Sequence, residues 1–317
     1  MSNKDKINKR IAELLNKGDS RVEKLLASYE KRLLAEYKIT LKEIKQSIAK
    51  LYEKYGDKVT YSEMASYNRL TNLEKQIAEK VKDLTNKNIR TTNKALKDIY
   101  KENYYSTGYA LESSIGVGLG FNQLQDKTIT AAFLNPLDRI KWAGRMREHA
   151  KIYVNQIRSE LAQGLIKGEG YGKIASNVTE RTGVNAGKIM RIVRTEGHRV
   201  QNAARLAGIE KVDNASERLG IKTERLWIAV LDSRTRSDHR LLDLKPARMI
   251  DGKLQWTFPS GGTTEAPGMS GIASEDIHCR CNFITQIKKT SYNFENRKNK
   301  LKGQTYDEWK KAKQNPN

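Results

Sequence analysis

Apolar residues recur every three or four positions from Ile7 to Tyr55. Ile7, Ile11, Leu14, Val22, Leu25, Tyr29, Leu33, Tyr37, Leu41, Ile44, Ile48, Leu51 and Tyr55 make one stripe, with lysine and glutamate between them. That period places the stripe on one face of a long helix. Gly18-Asp19-Ser20 is the expected single break, with Asp19 or Ser20 capping the restart. Gly56-Asp57 is the expected stop. Thr60 and Glu63 have capping-box spacing and open a second helix carrying Tyr67, Leu70, Leu73, Ile77, Val81 and Leu84. The stripe is narrow. It suits an antiparallel hairpin, an ordinary bundle, or docking and self-association through these N-terminal helices. Five prolines and 7% aromatic residues fit a helix-rich chain.

The middle of the chain continues the pattern. Residues 115–120 read Ile-Gly-Val-Gly-Leu-Gly. No strand signal precedes them and no Lys-Ser/Thr pair follows, so a flexible small-residue hinge is expected rather than a phosphate loop. Asn135-Pro136, with Leu137-Asp138 in the first turn, starts a helix bearing Ile140, Trp142, Met146, His149, Tyr153, Ile157 and Leu161. Gly168-Glu169-Gly170 marks a turn, and 174–182 and 186–207 read as two further helices closed by Gly208. After residue 220 the pattern changes. Leu226–Leu231 is an apolar run of strand length, Met249–Trp256 has Asp251-Gly252 at its centre and reads as a type I′ hairpin, and Phe283–Ile287 is another strand. The expected fold class is mostly α with a small α+β C-terminal module: a long N-terminal helical hairpin or bundle, then helices packed on a short antiparallel sheet. The expected domains are a basic long-helix region at 1–125, a module at 126–287 with its motifs at about 170–287, and a basic tail at 288–317. The loop from Pro259 to Ile277 holds glycine or proline at six positions. A loop of that length needs an internal staple or serves function.

The formal charge is +22 over 317 residues. Such an excess favours polyanionic partners, double-stranded DNA foremost, although a basic chain also gains solubility from its charge. No secretory signal opens the sequence and no apolar run of about 18 residues occurs, so no membrane association is expected. The two cysteines, Cys279 and Cys281, are one residue apart. A disulfide at that spacing is strained, so reduced thiols in a cytoplasmic setting are expected.

Chemistry-bearing residues concentrate between Arg194 and Cys281. Cys279, Cys281 and His239 are donors of the kind zinc takes, and His278 or His198 would complete four ligands. The alternative is that the cysteines only pack. Arg194, Glu196, Trp227, Asp232, Arg234 and Arg280 are expected to form a structural network tying helix to sheet, with guanidinium groups bridging carboxylates and loop carbonyls. The catalytic alternative is a metal-dependent nuclease using Glu196, Asp232 and His239. No nucleophile motif accompanies them, so no enzyme is expected.

Taken in order, Arg194-Thr195-Glu196, the Trp227 to Thr235 segment with His239 beyond it, and His278-Cys279-Arg280-Cys281 resemble the minor head proteins of tailed bacteriophages, the head-morphogenesis proteins similar to protein F of phage Mu. The resemblance covers roughly residues 170–285. Arg236 stands where many relatives carry a cysteine. The resemblance implies a minor capsid protein that enters the procapsid with the portal protein. It further implies scaffold or major capsid proteins as partners, and a place inside the virion after assembly in the host cytoplasm, acting in DNA packaging or ejection. The tail adds Lys288, Lys289, Arg297, Lys298, Lys300, Lys302, Lys310 and Lys311 as candidates for non-specific DNA contact. Tyr292, Phe294, Tyr306 and Trp309 lie among them, placed either to stack on bases or to dock on the protein.

Overall fold

A computed structural model describes residues 2–56, 59–133, 141–294, 301 and 303–314. The first stripe forms one unbroken helix, α1 (Asn3–Tyr55). Ile11, Leu15, Val22, Tyr29, Leu33, Tyr37, Ile44, Ile48 and Tyr52 are buried along it. Leu15 and Tyr52 take the places expected of Leu14 and Leu51, because a straight helix drifts against a strict three-four spacing. The break expected at Gly18 does not occur. A Cβ on Gly18 would lie 2.8 Å from the Ser106 Cβ, so the glycine permits close packing rather than a turn. Asp19 does not cap a restart; it receives side-chain hydrogen bonds from Gln201 and Arg205.

The capping box at Thr60 is present: Glu63 accepts the Thr60 amide at 2.8 Å, and Thr60 Oγ1 accepts the Glu63 amide at 3.3 Å. The helix it opens, α2 (Tyr61–Ala65), stops after about a turn. Tyr67 and Asn68 adopt left-handed φ values of 54° and 57°, and α3 (Arg69–Ile115) starts beyond them. Tyr67 therefore lies off the apolar stripe and is 86% exposed. At the end of α3 the expected flexible hinge is a pinned turn. Glu112 Oε1 accepts the amides of Leu119 and Phe121, and both apolar side chains are buried.

Next come α4 (Asp126–Phe133), α5 (Trp142–Ile166) and α6 (Tyr171–Arg218). The start expected at Asn135-Pro136, with Leu137, Asp138 and Ile140, lies outside the described residues, as does Asp57 of the earlier expected stop. The turn at Gly168-Glu169-Gly170 is present, with Gly168 at φ 67°. The two helices expected after it are one. Thr182 bonds back to the Val178 carbonyl, and the Asn185 side chain bonds Tyr37 and the His149 carbonyl, so neither polar group needs the chain to leave the helix. Gly208 does not terminate it either. A Cβ there would meet Thr107 at 3.1 Å, so the residue is again a packing glycine. The stop is Gly220, at φ 72°.

The C-terminal strands are β1 (Ile221–Ile228), β2 (Arg248–Ile250), β3 (Lys253–Thr257), β4 (Thr263–Thr264) and β5 (Asn282–Thr290). Single-turn helices α7 (Ser237–Leu241) and α8 (Ala273–Asp276) interrupt them, and α9 (Tyr306–Gln314) follows. The expected single sheet is two. β1 pairs antiparallel with β5, from Ile221 opposite Thr290 to Ile228 opposite Asn282, and β2-β3-β4 form a separate meander. The β2–β3 turn has both Asp251 (φ 49°) and Gly252 (φ 76°) left-handed, as a type I′ turn requires.

Two compact units emerge, each built from non-adjacent stretches. One takes Met1–Leu26, Ala95–Arg139 and Arg194–Asn317; the other takes Ala27–Lys94 and Ile140–Val193. The second is a helical bundle. Its core draws Ile44 and Ile48 from α1, Ile77 and Val81 from α3, Ile157 and Leu161 from α5, and Ile174 and Val178 from α6. Helices of the same chain thus fill this part of the apolar stripe, where docking or self-association was the alternative. No described helix is long and apolar enough to cross a membrane.

Candidate functional site

His239 lies on α7, one turn of helix beyond the loop that leaves β1. Its ring stacks on Phe258 at 5.5 Å between centroids and meets Trp227 edge-on at 5.4 Å. Both aromatic residues are buried, and together they confine the plane of the imidazole. Nε2 bonds Glu275 Oε2 at 3.0 Å, while Nδ1 faces Cys281 Sγ at 3.4 Å and Cys279 Sγ at 3.7 Å. All three residues of the cluster are buried and neither cysteine is in a disulfide.

The loop before the cysteines is stapled by Asp276. Its carboxylate accepts the Ser270 amide and hydroxyl and the Gly271 amide, at 3.1, 2.8 and 2.7 Å. His278 then takes a left-handed φ of 60°, and the Cys279 amide returns to the Asp276 carbonyl. From α6, His198 Nε2 and Asn202 Nδ2 reach the Cys281 carbonyl at 2.8 and 3.2 Å, and Asn202 also holds the Pro267 carbonyl. His198, expected as a fourth metal ligand, therefore serves the backbone. Among the described residues the only cluster with metal-ligand spacing is His239, Cys279 and Cys281, so His278 is not part of it.

The electrostatics follow from this packing. The Cys279 thiol donates to the Cys281 sulfur, which carries Cys281 down to about 4, with His239 adding to the effect. The same hydrogen bond, reinforced by burial, pushes Cys279 well up. Burial alone would lower His239; the Cys281 sulfur and Glu275 outweigh it and raise it.

Of the six residues expected to form one network, Asp232, Arg234 and Arg280 meet, and Arg194 lines the same cleft as Arg234 and Arg280. Asp232 and Arg280 make a two-pronged pair at 2.7 and 2.6 Å, half-exposed, and Arg280 holds the Asp232 carboxyl well below the usual range. Arg234 is 3.6 Å from Asp232, but its side chain is 77% exposed. Glu196 pairs with Arg199 on α6 at 2.9 Å, buried, while Arg194 on the same helix is exposed. Trp227 belongs to the aromatic shell of His239. Other groups do the tying. Arg205 of α6 reaches Asp19 of α1 and the Phe283 carbonyl of β5, and Arg225 of β1 reaches Asp213 of α6. Glu196, Asp232 and His239, the nuclease alternative, each hold a different partner and form no common cluster.

The described helix of the tail is docked on the protein. In α9, Trp309 is buried and donates Nε1 to Glu112 at 2.9 Å, while Lys310 pairs with Glu102 at 2.6 Å. Trp309 is thus a docking residue and is not open to base stacking. Lys288, Lys289 and Lys311 are exposed, Lys288 within 3.6 Å of Glu224. Arg297, Lys298, Lys300 and Lys302 lie outside the described residues. Sequence reasoning missed a cleft that gathers Lys24, Arg194, Arg234, Arg236 and Arg280 against Asp19 and Glu23. Only the density of arginine between 234 and 280 hinted at it.

Residues 155–284 match the family described as Phage Mu protein F like protein. The minor head protein GP7 of Bacillus phage SPP1 is 34% identical over 281 residues, covering 85% of each chain. The NAD(+)–arginine ADP-ribosyltransferase EFV of Enterococcus faecalis is 26% identical over 306 residues, and there the chain spans 60% of the relative's length. No solved structure matches.

Proposed function

The chain belongs to the phage minor head proteins of head morphogenesis, and from that premise we propose that it associates with the portal and procapsid and binds double-stranded DNA without sequence preference. On this reading it is a structural component and not an enzyme. It acts inside the head during packaging or ejection, with scaffold or major capsid proteins as neighbours. The observation that carries the reading is the 34% identity to a minor head protein over 85% of both chains. The charge of +22 supports the DNA component, since diffuse cations attract phosphates without reading bases. The cationic cleft, and separately the exposed Lys288, Lys289 and Lys311, supply cations for it. The transferase activity in the EFV name is not carried over, because the chain spans 60% of that protein.

Mixing the purified chain with plasmid DNA, with and without a divalent cation, tests the reading. Retarded, intact DNA is expected. Affinity is expected to fall ~10³-fold or more between about 50 and 200 mM salt if about six phosphates are contacted. Cut DNA favours the nuclease alternative, and binding that ignores salt removes the electrostatic model. Co-sedimentation with portal protein tests the association separately.

A further inference from the structure

The geometry points to a thiophilic divalent cation site, of the zinc type, formed by His239 Nδ1, Cys279 Sγ and Cys281 Sγ. Zinc bound to imidazole at about 2.0–2.1 Å and to thiolate at about 2.3 Å in a tetrahedron sets N and S about 3.5 Å apart. The imidazole nitrogen here is 3.4 and 3.7 Å from the two sulfurs. The donors are arranged as a coordination sphere arranges them.

Three further observations fit a cation. Glu275 takes the distal Nε2 of His239 at 3.0 Å, the carboxylate–imidazole arrangement that turns the other nitrogen toward a metal and raises its basicity. Phe258 and Trp227 hold the ring in place, so little reorganisation opposes binding. Two thiolates and the Glu275 carboxylate also bring the negative charge a dication needs. Binding displaces the Cys279 thiol proton to solvent. Three protein donors leave the fourth position to water. The cation would join α7 to the strand entry at Cys281, segments 42 residues apart that the loop otherwise reaches only through hydrogen bonds.

The test uses the full chain, purified under reducing conditions without a metal-affinity tag. Elemental analysis is expected to find about one zinc per chain. Stripped protein titrated with cobalt(II) is expected to take up one equivalent and to show thiolate-to-cobalt charge transfer with tetrahedral d–d bands. Glu275→Gln keeps the three donors and is expected to weaken cobalt binding ~10–100-fold, with an unchanged far-UV circular dichroism spectrum. The double variant Cys279→Ser, Cys281→Ser is expected to lose the cobalt colour. A reduced, folded wild-type chain that stays colourless and binds less than stoichiometric metal overturns the proposal. So does a double variant that binds cobalt as the wild type does.

Discussion

Ile157 and Arg205 are both fully buried, and their surroundings differ in kind. Around Ile157 the bundle is apolar, built from positions that repeat every three or four residues on four helices. Around Arg205 the other unit is polar: an aspartate from α1, a backbone carbonyl from β5, and nearby Asn202 and Arg199 are buried with it. Apolar packing is roughly additive and tolerant of exchange, whereas a buried charge is safe only while its partner is present. The two units should therefore respond differently to loss of a single side chain.

Asp19→Ala should show the largest effect. It leaves Arg205 buried without a counter-charge and should lower the unfolding free energy by ~3–5 kcal/mol. A denaturant midpoint equal to wild type would break the contrast. Ile157→Ala should lower it by ~2–5 kcal/mol through the cavity it leaves, and Ile157→Leu should recover most of that. An equal loss for both substitutions would mean that shape, and not burial, dominates in the bundle.

A smaller, local effect is expected on acidification. Burial pushes Glu102 up, but hydrogen bonds from Lys310, Tyr306 and Arg21 outweigh it and hold the carboxyl below 4.5. A lowered folded value means the contribution is complete above the unfolded value and fades as pH falls through it to the folded one. Trp309 fluorescence should therefore report loosening of α9 as pH falls through about 4.3, the value of a free glutamate, toward the lower folded one. Glu102→Gln should show the loosened signal at neutral pH as well. A signal flat to pH 3 would place the hold on α9 elsewhere. Arg234→Ala should change stability by no more than ~0.5 kcal/mol, since its side chain is 77% exposed. A drop beyond ~1 kcal/mol would restore it to a structural network.

What was legible follows the same division. Periodicity located α1, α3 and α5, and Asp251-Gly252 located its hairpin, because these signals rest on residues within a few positions of one another. The glycines misled for a physical reason. Gly18 and Gly208 are small because Ser106 and Thr107 approach them, and a contact across about ninety or a hundred residues leaves no local trace. At the candidate site, His239, Cys279 and Cys281 stood out as residue types, and their order in the chain carried the likeness to head-morphogenesis proteins. Glu275 did not stand out, since one acid among many has no signal until an imidazole is placed beside it.

The sequence by itself determined the helical content, the basic character, the hairpin turn and the identity of the sulfur and imidazole donors, all properties of near neighbours or of composition. Only the tertiary structure decided which charges meet. It matched Arg205 to Asp19 and Arg280 to Asp232, paired Glu196 with Arg199, exposed Arg234, and turned His239 so that one nitrogen faces two sulfurs. An ion pair forms wherever folding brings opposite charges within reach, and reach in this chain is set by packing across as many as 208 residues.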